Sequence, residues 1–228
     1  MSPRSIQLPE AVHEYVLTTT VRESEALRRI RTETAQRPEA RMQTSAEQGQ
    51  FIRWLLELVG ARRCLEIGVY TGYSAMVTAE AIGETGTLVA CEQDPTYAEI
   101  ARSYLQGAGL AERVQFRIGP AAETLAALLD EGGAGSFDFV YVDADKESYD
   151  AYFELGLRLV RVGGLLAFDN MLWGGSVADP DNTKPSTVAI RRLNLKVTDD
   201  PRVTSSLVPI GDGLMLVRRA DGASPDSA

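Results

Sequence analysis

The sequence predicts an α/β fold built on a doubly wound, mostly parallel sheet. From residue 63 onwards, short apolar runs alternate with segments of helical spacing, as strands and helices do in such folds. A glycine-containing turn follows the first apolar run, and acidic or amide side chains end several later ones. Because open α/β sheets bind ligands at the carboxyl ends of their strands, we expect a ligand site at that edge.

Length and composition indicate one domain. The 228 residues are 44% hydrophobic, enough for a full core, and no Pro/Gly/Ser-rich linker divides them. The first residues lack the layout of a signal peptide, and no apolar run approaches the roughly 20 residues of a membrane span. We therefore expect a cytoplasmic protein with no membrane partner. Cys64 and Cys91, without metal-type spacing, are expected to be buried, reduced thiols.

The acidic charge argues against nucleic acid as a partner. A net charge of −9 would repel phosphate backbones unless a local basic patch existed. The two arginine-rich stretches, residues 22–41 and Arg191 with Arg192, are interpreted as solvated helix faces. Nucleic acid is therefore a poor candidate.

The N-terminal part is predicted to be helical. Helical spacing occurs in two stretches of residues 8–36, which predicts a helical appendage over residues 1–37. His13, the only histidine, lies outside every motif and is expected to be a partly exposed helix residue. The predicted apolar face of the first stretch consists of Val12, Tyr15 and Val16.

A further helix is predicted before the sheet begins. Ser45 is a plausible N-cap for it, and Gly60 ends it. The apolar stripe of this helix consists of Phe51, Ile52, Leu55, Leu56 and Val59.

Seven strands are predicted in the alternating part of the chain. They lie at about 63–67, 86–92, 113–118, 137–143, 163–169, 203–209 and 214–219. Helices are predicted at about 72–82, 94–108, 121–131 and 148–160, and another follows a loop from 171 to 185. The turn at 210–213 suggests that the last two strands form a closing antiparallel hairpin. Residues 221–228 are predicted to be a disordered polar tail.

The turn after the first strand indicates a ligand without a diphosphate. Gly68 and Gly72 allow a sharp turn, close approach of the backbone to a ligand, and exposure of the next helix's N-terminal amides. Their Gly-x-x-x-Gly spacing misses the Gly-x-Gly-x-x-Gly pattern of dinucleotide-binding folds. Glu66, just before the turn, is compatible with a cationic ligand and hostile to an anion.

The end of the second strand adds a second clue to the ligand. Glu92 ends this strand, the position from which a carboxylate accepts hydrogen bonds from ribose hydroxyls. A ligand that carries both a ribose and a positive charge points to S-adenosylmethionine. The competing interpretation is that Glu66 and Glu92 are ordinary strand-end charges.

Three oxygen-bearing side chains follow later strands. Asp143 ends the fourth strand, and Asp169 and Asn170 end the fifth. Carboxylate and amide oxygens suit a hard divalent cation, Mg²⁺ or else Mn²⁺ or Ca²⁺, better than zinc. The sequence therefore predicts a metal site in the same crevice.

Four segments carry a resemblance to a known family. They are residues 42–50, residues 65–68 with 71–74, residues 143–146, and residues 169–175. Occurring in order between about residues 38 and 219, they resemble the cation-dependent O-methyltransferases, which include catechol and caffeoyl-CoA O-methyltransferases and their bacterial relatives. Residues 177–180 and 211–214 look most like the bacterial branch.

The resemblance implies both a fold and an activity. It implies a Rossmann-like, S-adenosylmethionine-dependent methyltransferase domain over residues 38–220, with a seven-stranded sheet. It further implies a homodimer with the N-terminal helices and terminal hairpin as candidate contacts. The implied activity is metal-dependent methylation of one hydroxyl of a small, catechol-like acceptor.

The resemblance also implies roles for single residues. The expected cofactor contacts are Met42, Thr44, Glu66, Gly68, Tyr70, Gly72, Ser74, Glu92, Ala121 and Asp143. The expected metal ligands are Asp143, Asp169 and Asn170. The acceptor is expected to contact Asp145, Lys146 and Trp173. Tyr70 borders the cofactor turn and could equally serve only in packing.

Lys146 is the candidate general base, with Asp143 beside it as a second catalytic residue. It lies on the loop that leaves the fourth strand, where its amine could reach the hydroxyl that is methylated. A nearby divalent cation and partial burial would both disfavour its charged form. The competing interpretation is a surface lysine paired with Asp145 or Glu147. Trp173 is expected in a wall or lid over the acceptor, or else to be purely structural.

Two other functions stay open at this point. One is a tRNA methyltransferase acting on a hydroxylated uridine, against which the acidic charge argues. The other is a cofactor-binding module without catalysis, against which the complete metal and lysine set argues.

Overall fold

The computed structural model describes residues 8–222. The start of the predicted helical appendage and most of the predicted disordered tail lie outside these residues. Within them, no helix is long and apolar enough to cross a membrane.

Seven strands form a single sheet. They are β1 (Arg63–Ile67), β2 (Thr87–Glu92), β3 (Val114–Ile118), β4 (Phe137–Val142), β5 (Val160–Phe168), β6 (Val203–Val208) and β7 (Leu214–Arg219). The strand order is β3-β2-β1-β4-β5-β7-β6. Strands β1 to β5 are parallel, and β7 runs antiparallel to both β5 and β6. The predicted mostly parallel sheet with an antiparallel terminal hairpin is confirmed.

Eight α-helices accompany the sheet in the described part of the chain. They are α1 (Glu10–Thr20), α2 (Glu25–Thr34), α3 (Ala46–Val59), α4 (Tyr73–Ala81), α5 (Pro95–Gly107), α6 (Ala121–Asp130), α7 (Tyr149–Leu159) and α8 (Pro185–Asp199). Short 3₁₀ turns include Ala40–Met42 and Trp173–Ala178. The chain order reverses between the neighbouring strands β1 and β4, and such a reversal opens a crevice at the carboxyl ends of the strands.

The core consists of two apolar layers, one on each face of the sheet. Helices α2 to α5 pack on one face and α6 to α8 on the other. Because side chains alternate along a strand, Phe139 and Tyr141 face the first layer while Val140 and Val142 face the second. Both cysteines are buried and free, as predicted, and burial raises the pKa of Cys91 to about 12.

The first helix differs from its prediction. Val12 is 45% exposed and Tyr15 68% exposed, while Val16 is half-buried, so most of the predicted apolar face is not buried within this chain. His13 is instead buried, with Nε2 3.5 Å from the Glu47 Oε2 of α3. The prediction of a partly exposed histidine was wrong because apolar periodicity does not reveal a polar pair at a helix contact.

Element ends differ from the predicted bounds by a few residues. Ser45 occupies the N-cap position of α3, as predicted, but its side chain makes no capping hydrogen bond. Gly60 ends that helix with a φ of 64°, which favours glycine. Strand β5 begins at Val160 rather than 163, because Val160 pairs with Phe137 before a shift in register.

Candidate active site

A cavity of about 880 Å³ lies beside the carboxyl ends of β1, β2 and β4, a size typical of small-molecule sites. Its lining includes the predicted cofactor residues Met42, Thr44, Gly68, Tyr70, Ser74, Glu92, Ala121 and Asp143. It also includes the predicted acceptor residues Asp145, Lys146 and Trp173. Glu66 and Gly72, predicted as cofactor contacts, are not part of this lining. Gly72 instead occupies the N-cap position of α4 and allows close packing against Ala101.

Main-chain geometry shapes the turn between β1 and α4. Gly68 has a φ of 86°, and a Cβ there would overlap the carbonyl oxygen of Asp143. Tyr70 adopts a positive φ of 52°, which is uncommon for a residue with a side chain. The turn can therefore pass this close to β4 only with glycine at position 68.

Glu92 holds the same turn from β2. Its Oε2 accepts hydrogen bonds from the backbone N–H groups of Val69 and Tyr70, each at 2.9 Å. Its Oε1 accepts one from the N–H of Asp94 at 3.0 Å. Oε2 has both lone pairs engaged, but Oε1 keeps one, so Glu92 could also accept a hydrogen bond from a ligand hydroxyl in the cavity. The structural role in the turn was not predicted from the sequence.

Glu66 lies behind the cavity wall. Its side chain is fully buried, and Oε1 accepts a hydrogen bond from the Ser74 hydroxyl at 2.5 Å. Oε2 has no hydrogen-bond partner within residues 8–222. Burial raises the pKa of Glu66 to about 8, opposed by the Ser74 bond and reinforced by the charges of Asp143 and Glu92. A nearby cationic group, such as an ammonium, would favour its charged form.

Asp143, Asp169 and Asn170 lie together in a small recess. Asp143 lines both this recess and the main cavity, so it lies between the two. Asn170 has a φ of 63°, and its buried Oδ1 has no hydrogen-bond partner among the described residues. Residues 8–222 contain no group of three Asp, Glu, His or Cys side chains placed to hold a metal, so a cation here would also need the amide oxygen.

The charge balance of the recess also fits a cation. Asp169 is buried, and its Oδ1 accepts a hydrogen bond from the Asn170 N–H at 2.6 Å. Burial, and then the negative charge of Asp143, raise the pKa of Asp169 above its usual range, while Lys146 opposes this. A divalent cation would offset both unfavourable contributions. The orphaned amide oxygen and the paired carboxylates therefore match a Mg²⁺-type ion.

Lys146 is buried at the junction of cavity and recess. Its Nζ donates hydrogen bonds to Asp143 Oδ1 at 3.0 Å and to the Tyr149 hydroxyl at 2.6 Å. The competing interpretation of a surface lysine paired with Asp145 or Glu147 is therefore wrong. Asp145 instead accepts a hydrogen bond from the Tyr152 hydroxyl at 2.6 Å. Lys146 is thus held by groups inside the site and directed toward the cavity.

The wall that carries Trp173 is fixed by the β6–β7 turn. The Gly174 N–H donates to Asp212 Oδ1 at 2.7 Å, and the Leu172 N–H donates to the Asp212 carbonyl at 2.9 Å. Trp173 has a φ of 48°, and its ring centroid lies 5.8 Å from Lys146 Nζ. Asp212 was not predicted as a site residue, although its position between two glycines was a visible signal.

The rest of this loop is held by Arg191 of α8. Its guanidinium donates hydrogen bonds to the carbonyls of Ser176, Val177, Asp179 and Asn182. The interpretation of Arg191 as part of a solvated helix face was therefore wrong. No sequence signal distinguished it from its exposed neighbour Arg192.

Comparisons with known proteins identify the family. A family model described as O-methyltransferase matches residues 17–220. The caffeoyl-CoA O-methyltransferase of Eucalyptus gunnii is 41% identical over 224 residues, which cover 95% of this chain and 90% of that protein.

Two solved structures share the fold over nearly the whole chain. The O-methyltransferase TomG from Streptomyces achromogenes, involved in tomaymycin synthesis and solved in complex with S-adenosylmethionine, has a TM-score of 0.83 and 34% identity over 92% of this chain and 96% of TomG. The Bacillus cereus O-methyltransferase, solved in complex with S-adenosylhomocysteine, has a TM-score of 0.84 and 32% identity over 92% of this chain and 97% of its own.

These matches confirm the family expected from the motifs, and the bound molecules of the two structures support S-adenosylmethionine as the cofactor. The bacterial branch stays a prediction, because the matches named above come from a plant as well as from bacteria. The chain belongs to the O-methyltransferase family and is an S-adenosylmethionine-dependent O-methyltransferase.

Proposed function

We propose that the enzyme methylates one hydroxyl of a small, catechol-like acceptor with the help of a divalent cation. The observation that carries this proposal is the placement of Asp143. It lines the cofactor-sized cavity and also the recess that contains Asp169 and Asn170. Asp143 therefore belongs both to the proposed cofactor site and to the proposed metal site.

The recess supplies the metal ligands in this proposal. Asp143, Asp169 and Asn170 would hold the ion through two carboxylates and the unpaired amide oxygen of Asn170. When bound, the cation would act as a template and Lewis acid for two adjacent hydroxyls, which accounts for a vicinal-diol acceptor. Mg²⁺ is the preferred candidate, with Mn²⁺ and Ca²⁺ as alternatives.

The main cavity supplies the cofactor contacts. Met42 and Thr44 would line the methionine end, Glu92 would accept a hydrogen bond from a ribose hydroxyl, and Ala121 would lie beside the adenine. The remaining predicted contacts near the amino acid part are Glu66, Gly68, Tyr70, Gly72 and Ser74. The buried carboxylate of Glu66, with one unpaired oxygen, supports a nearby ammonium group.

Lys146 would act as the general base. Its Nζ is fixed by Asp143 Oδ1 and the Tyr149 hydroxyl, so it is presented to the cavity in one place. In its amine form it would take the proton from the acceptor hydroxyl, and removing this proton makes the oxygen a better nucleophile. Trp173 would form the wall against the acceptor ring, and Asp145 would contribute from the same loop.

A homodimer and a cytoplasmic location belong to the same proposal. Large apolar side chains are exposed on α1 and α3, among them Tyr15, Trp54 and Leu58. Burial of such a surface against a second copy would be favourable. Sedimentation analysis of the wild-type chain checks this, and a monomer at all concentrations would contradict the dimer.

The test is a methyl-transfer screen read by mass spectrometry. The enzyme is incubated with S-adenosylmethionine and a panel of catechols, with Mg²⁺ or with EDTA. We expect a mass gain of one methyl group on vicinal diols with Mg²⁺ and none with EDTA, while calorimetry shows that the cofactor still binds in EDTA. Mono-hydroxyl analogues of the same catechols serve as matched controls and should remain unmodified.

Three results would contradict the proposal. Full turnover in EDTA would exclude the metal mechanism. Methyl transfer to total tRNA, run as a parallel arm, with none to any diol would favour the nucleic-acid alternative instead. Cofactor binding with no transfer to either class would point to a binding module.

A further inference from the structure

Two buried side chains that were not predicted as site residues reach Asp169 from other elements, and one of them, Gln48, also lines the recess. The Tyr141 hydroxyl of β4 donates a hydrogen bond to Asp169 Oδ2 at 2.8 Å. The Gln48 amide of α3 in turn donates from Nε2 to the Tyr141 oxygen at 3.1 Å. Each side chain is only 1% exposed, so water does not compete for these bonds.

The direction of this hydrogen-bond chain is fixed by the donors. The amide nitrogen of Gln48 can only donate and the Asp169 carboxylate accepts, so the Tyr141 oxygen accepts from Gln48 and its own proton points to Asp169. The Thr44 hydroxyl, 3.4 Å from the Tyr141 oxygen, can act as a second donor to it. The other end of the Gln48 amide lies against Gly211, which has a φ of 56° and where a Cβ would overlap Oε1. In this orientation Oε1 lies beside Gly211 and Nε2 faces Tyr141.

Both oxygens of the Asp169 carboxylate are held in this way. Oδ1 accepts the Asn170 N–H at 2.6 Å, and Oδ2 accepts the Tyr141 hydroxyl. Because the carboxylate carbon is already attached to Cβ, holding both oxygens fixes the orientation of the group, while each oxygen keeps a second lone pair for a metal ion. Partners of this kind orient metal ligands, and their loss typically lowers metal affinity about 10- to 100-fold.

We propose that Tyr141 is a positioning residue that holds Asp169 in its metal-binding orientation, and that Gln48 directs the Tyr141 proton to it. The inference rests on the proposed metal site. Tyr141 itself lines neither the cavity nor the recess, so it acts through Asp169 rather than on acceptor or cofactor. The Tyr141 ring packs in the core beside Phe139, a role that phenylalanine would keep.

The decisive variant is Tyr141→Phe, which removes the hydroxyl and keeps the ring. Calorimetric titration of the cofactor-loaded enzyme with Mn²⁺, without acceptor, gives the metal dissociation constant. We expect this constant to rise about 10- to 100-fold, with the cofactor dissociation constant unchanged and turnover largely recovered at saturating Mg²⁺. A purely structural tyrosine would leave the metal constant unchanged.

Tyr104→Phe is the matched control. Tyr104 also donates its hydroxyl to a carboxylate, Glu33 Oε2 at 2.5 Å, but it lies on α5 outside the cavity and recess. This variant loses the same kind of hydrogen bond and should bind Mn²⁺ as the wild type does.

Gln48→Met tests whether Gln48 acts on Asp169 through Tyr141. It removes the donor while keeping the length of the side chain, and we expect a smaller increase in the metal dissociation constant than for Tyr141→Phe. Gln48 also lines the recess and can hydrogen-bond Asp169 directly, so the double variant separates the two routes. If Gln48 acts through Tyr141, as we propose, the double variant should bind Mn²⁺ no more weakly than Tyr141→Phe alone. If the two effects multiplied, Gln48 would act on the site independently and the proposed chain would be wrong.

The outcomes separate this inference from the proposed function. If the wild type binds Mn²⁺ and Tyr141→Phe has the same Mn²⁺ dissociation constant, the positioning role is overturned while the metal mechanism stays intact. No Mn²⁺ binding by the wild type would overturn both. If circular dichroism showed that Tyr141→Phe does not fold, Gln48→Met would serve alone. An unchanged Mn²⁺ dissociation constant in Gln48→Met would then overturn the proposed hydrogen-bond chain.

Discussion

The turn after β1 and the recess around Asp169 meet at Asp143, but they are held together in different ways. In the turn, Gly68 approaches the Asp143 carbonyl and Glu92 binds backbone N–H groups. In the recess, the contacts run between side chains, such as Tyr141 to Asp169 and Lys146 to Asp143. The turn should therefore be sensitive to an added Cβ, whereas the recess should be sensitive to the loss of single polar atoms.

Replacement of Gly68 is the most severe test of the turn after β1, which depends on main-chain contacts. In Gly68→Ala, the added methyl overlaps the Asp143 carbonyl at a φ of 86°. A left-handed conformation costs about 1–2 kcal/mol and overpacking about 1–3 kcal/mol, so we expect a loss of about 2–5 kcal/mol in unfolding free energy. Urea unfolding measures this loss.

Gly132→Ala is the matched control for that variant. Gly132 has nearly the same φ, 83°, but nothing lies within 4 Å of an added Cβ. Only the conformational cost of about 1–2 kcal/mol should remain. Equal losses in the two variants would show that the contact with Asp143 does not constrain the turn.

Replacement of Lys146 tests the recess, which depends on contacts between side chains. Lys146→Ala removes the proposed base, so we expect the turnover number to fall about 10²- to 10⁴-fold. Metal affinity should change far less, because Asp143, Asp169 and Asn170 all remain. Steady-state kinetics at saturating Mg²⁺ across a range of pH, with Mn²⁺ calorimetry alongside, gives both quantities.

Lys196→Ala serves as the control for this loss of a lysine. Lys196 forms ion pairs with Asp150 and Glu154 on the outside of α7, and its removal should leave turnover unchanged. Wild-type turnover by Lys146→Ala at every pH would exclude the base assignment.

A smaller effect is expected from the pH dependence of stability. Burial raises the pKa of Glu66 from 4.5 to about 8, so the folded cofactor-free protein favours the protonated carboxyl. This contribution is complete below pH 4.5 and is lost as the pH rises toward and through 8. The unfolding free energy should therefore decline with pH over this interval more steeply in the wild type than in Glu66→Gln.

Urea unfolding of both proteins at several pH values measures this difference. Asp169 shifts in the same direction, so the contribution of Glu66 is the difference between the two slopes rather than the wild-type slope itself. Bound S-adenosylmethionine should reduce the difference, because its ammonium would favour the charged carboxylate. Parallel slopes without cofactor would contradict the burial effect at Glu66.

The sequence predicted those parts of the site that follow strand ends. Asp143, Asp169 and Gly68 come directly after apolar strands, and parallel strands bring their carboxyl ends to one edge whatever the details of packing. The alternation also predicted the mostly parallel sheet, and the turn at 210–213 predicted the terminal hairpin, whereas the spatial order of the strands was not predicted. These features depend on local pattern and on the geometry of the sheet alone.

The parts that were missed depend on side-chain contacts between distant segments. Gln48 and Tyr141 are 93 residues apart, and Asp212 and Gly174 are 38 apart. Arg191 binds carbonyls, which every residue carries, so no residue type in the loop marked it as a partner. The predicted exposure of His13 was wrong for the same reason, because its burial comes from a contact with another helix.

The most direct test asks whether one ion lies beside the methyl donor. S-adenosylmethionine labelled with ¹³C on its methyl group is bound to the enzyme, Mn²⁺ is added, and the nuclear relaxation rate of the methyl group is measured. We expect Mn²⁺ to increase this rate strongly in the wild type and to have little effect in Asp169→Ala, which loses one of the proposed ligands. An unchanged rate in the wild type, or an equal increase in both proteins, would show that Asp143, Asp169 and Asn170 do not hold an ion next to the donor.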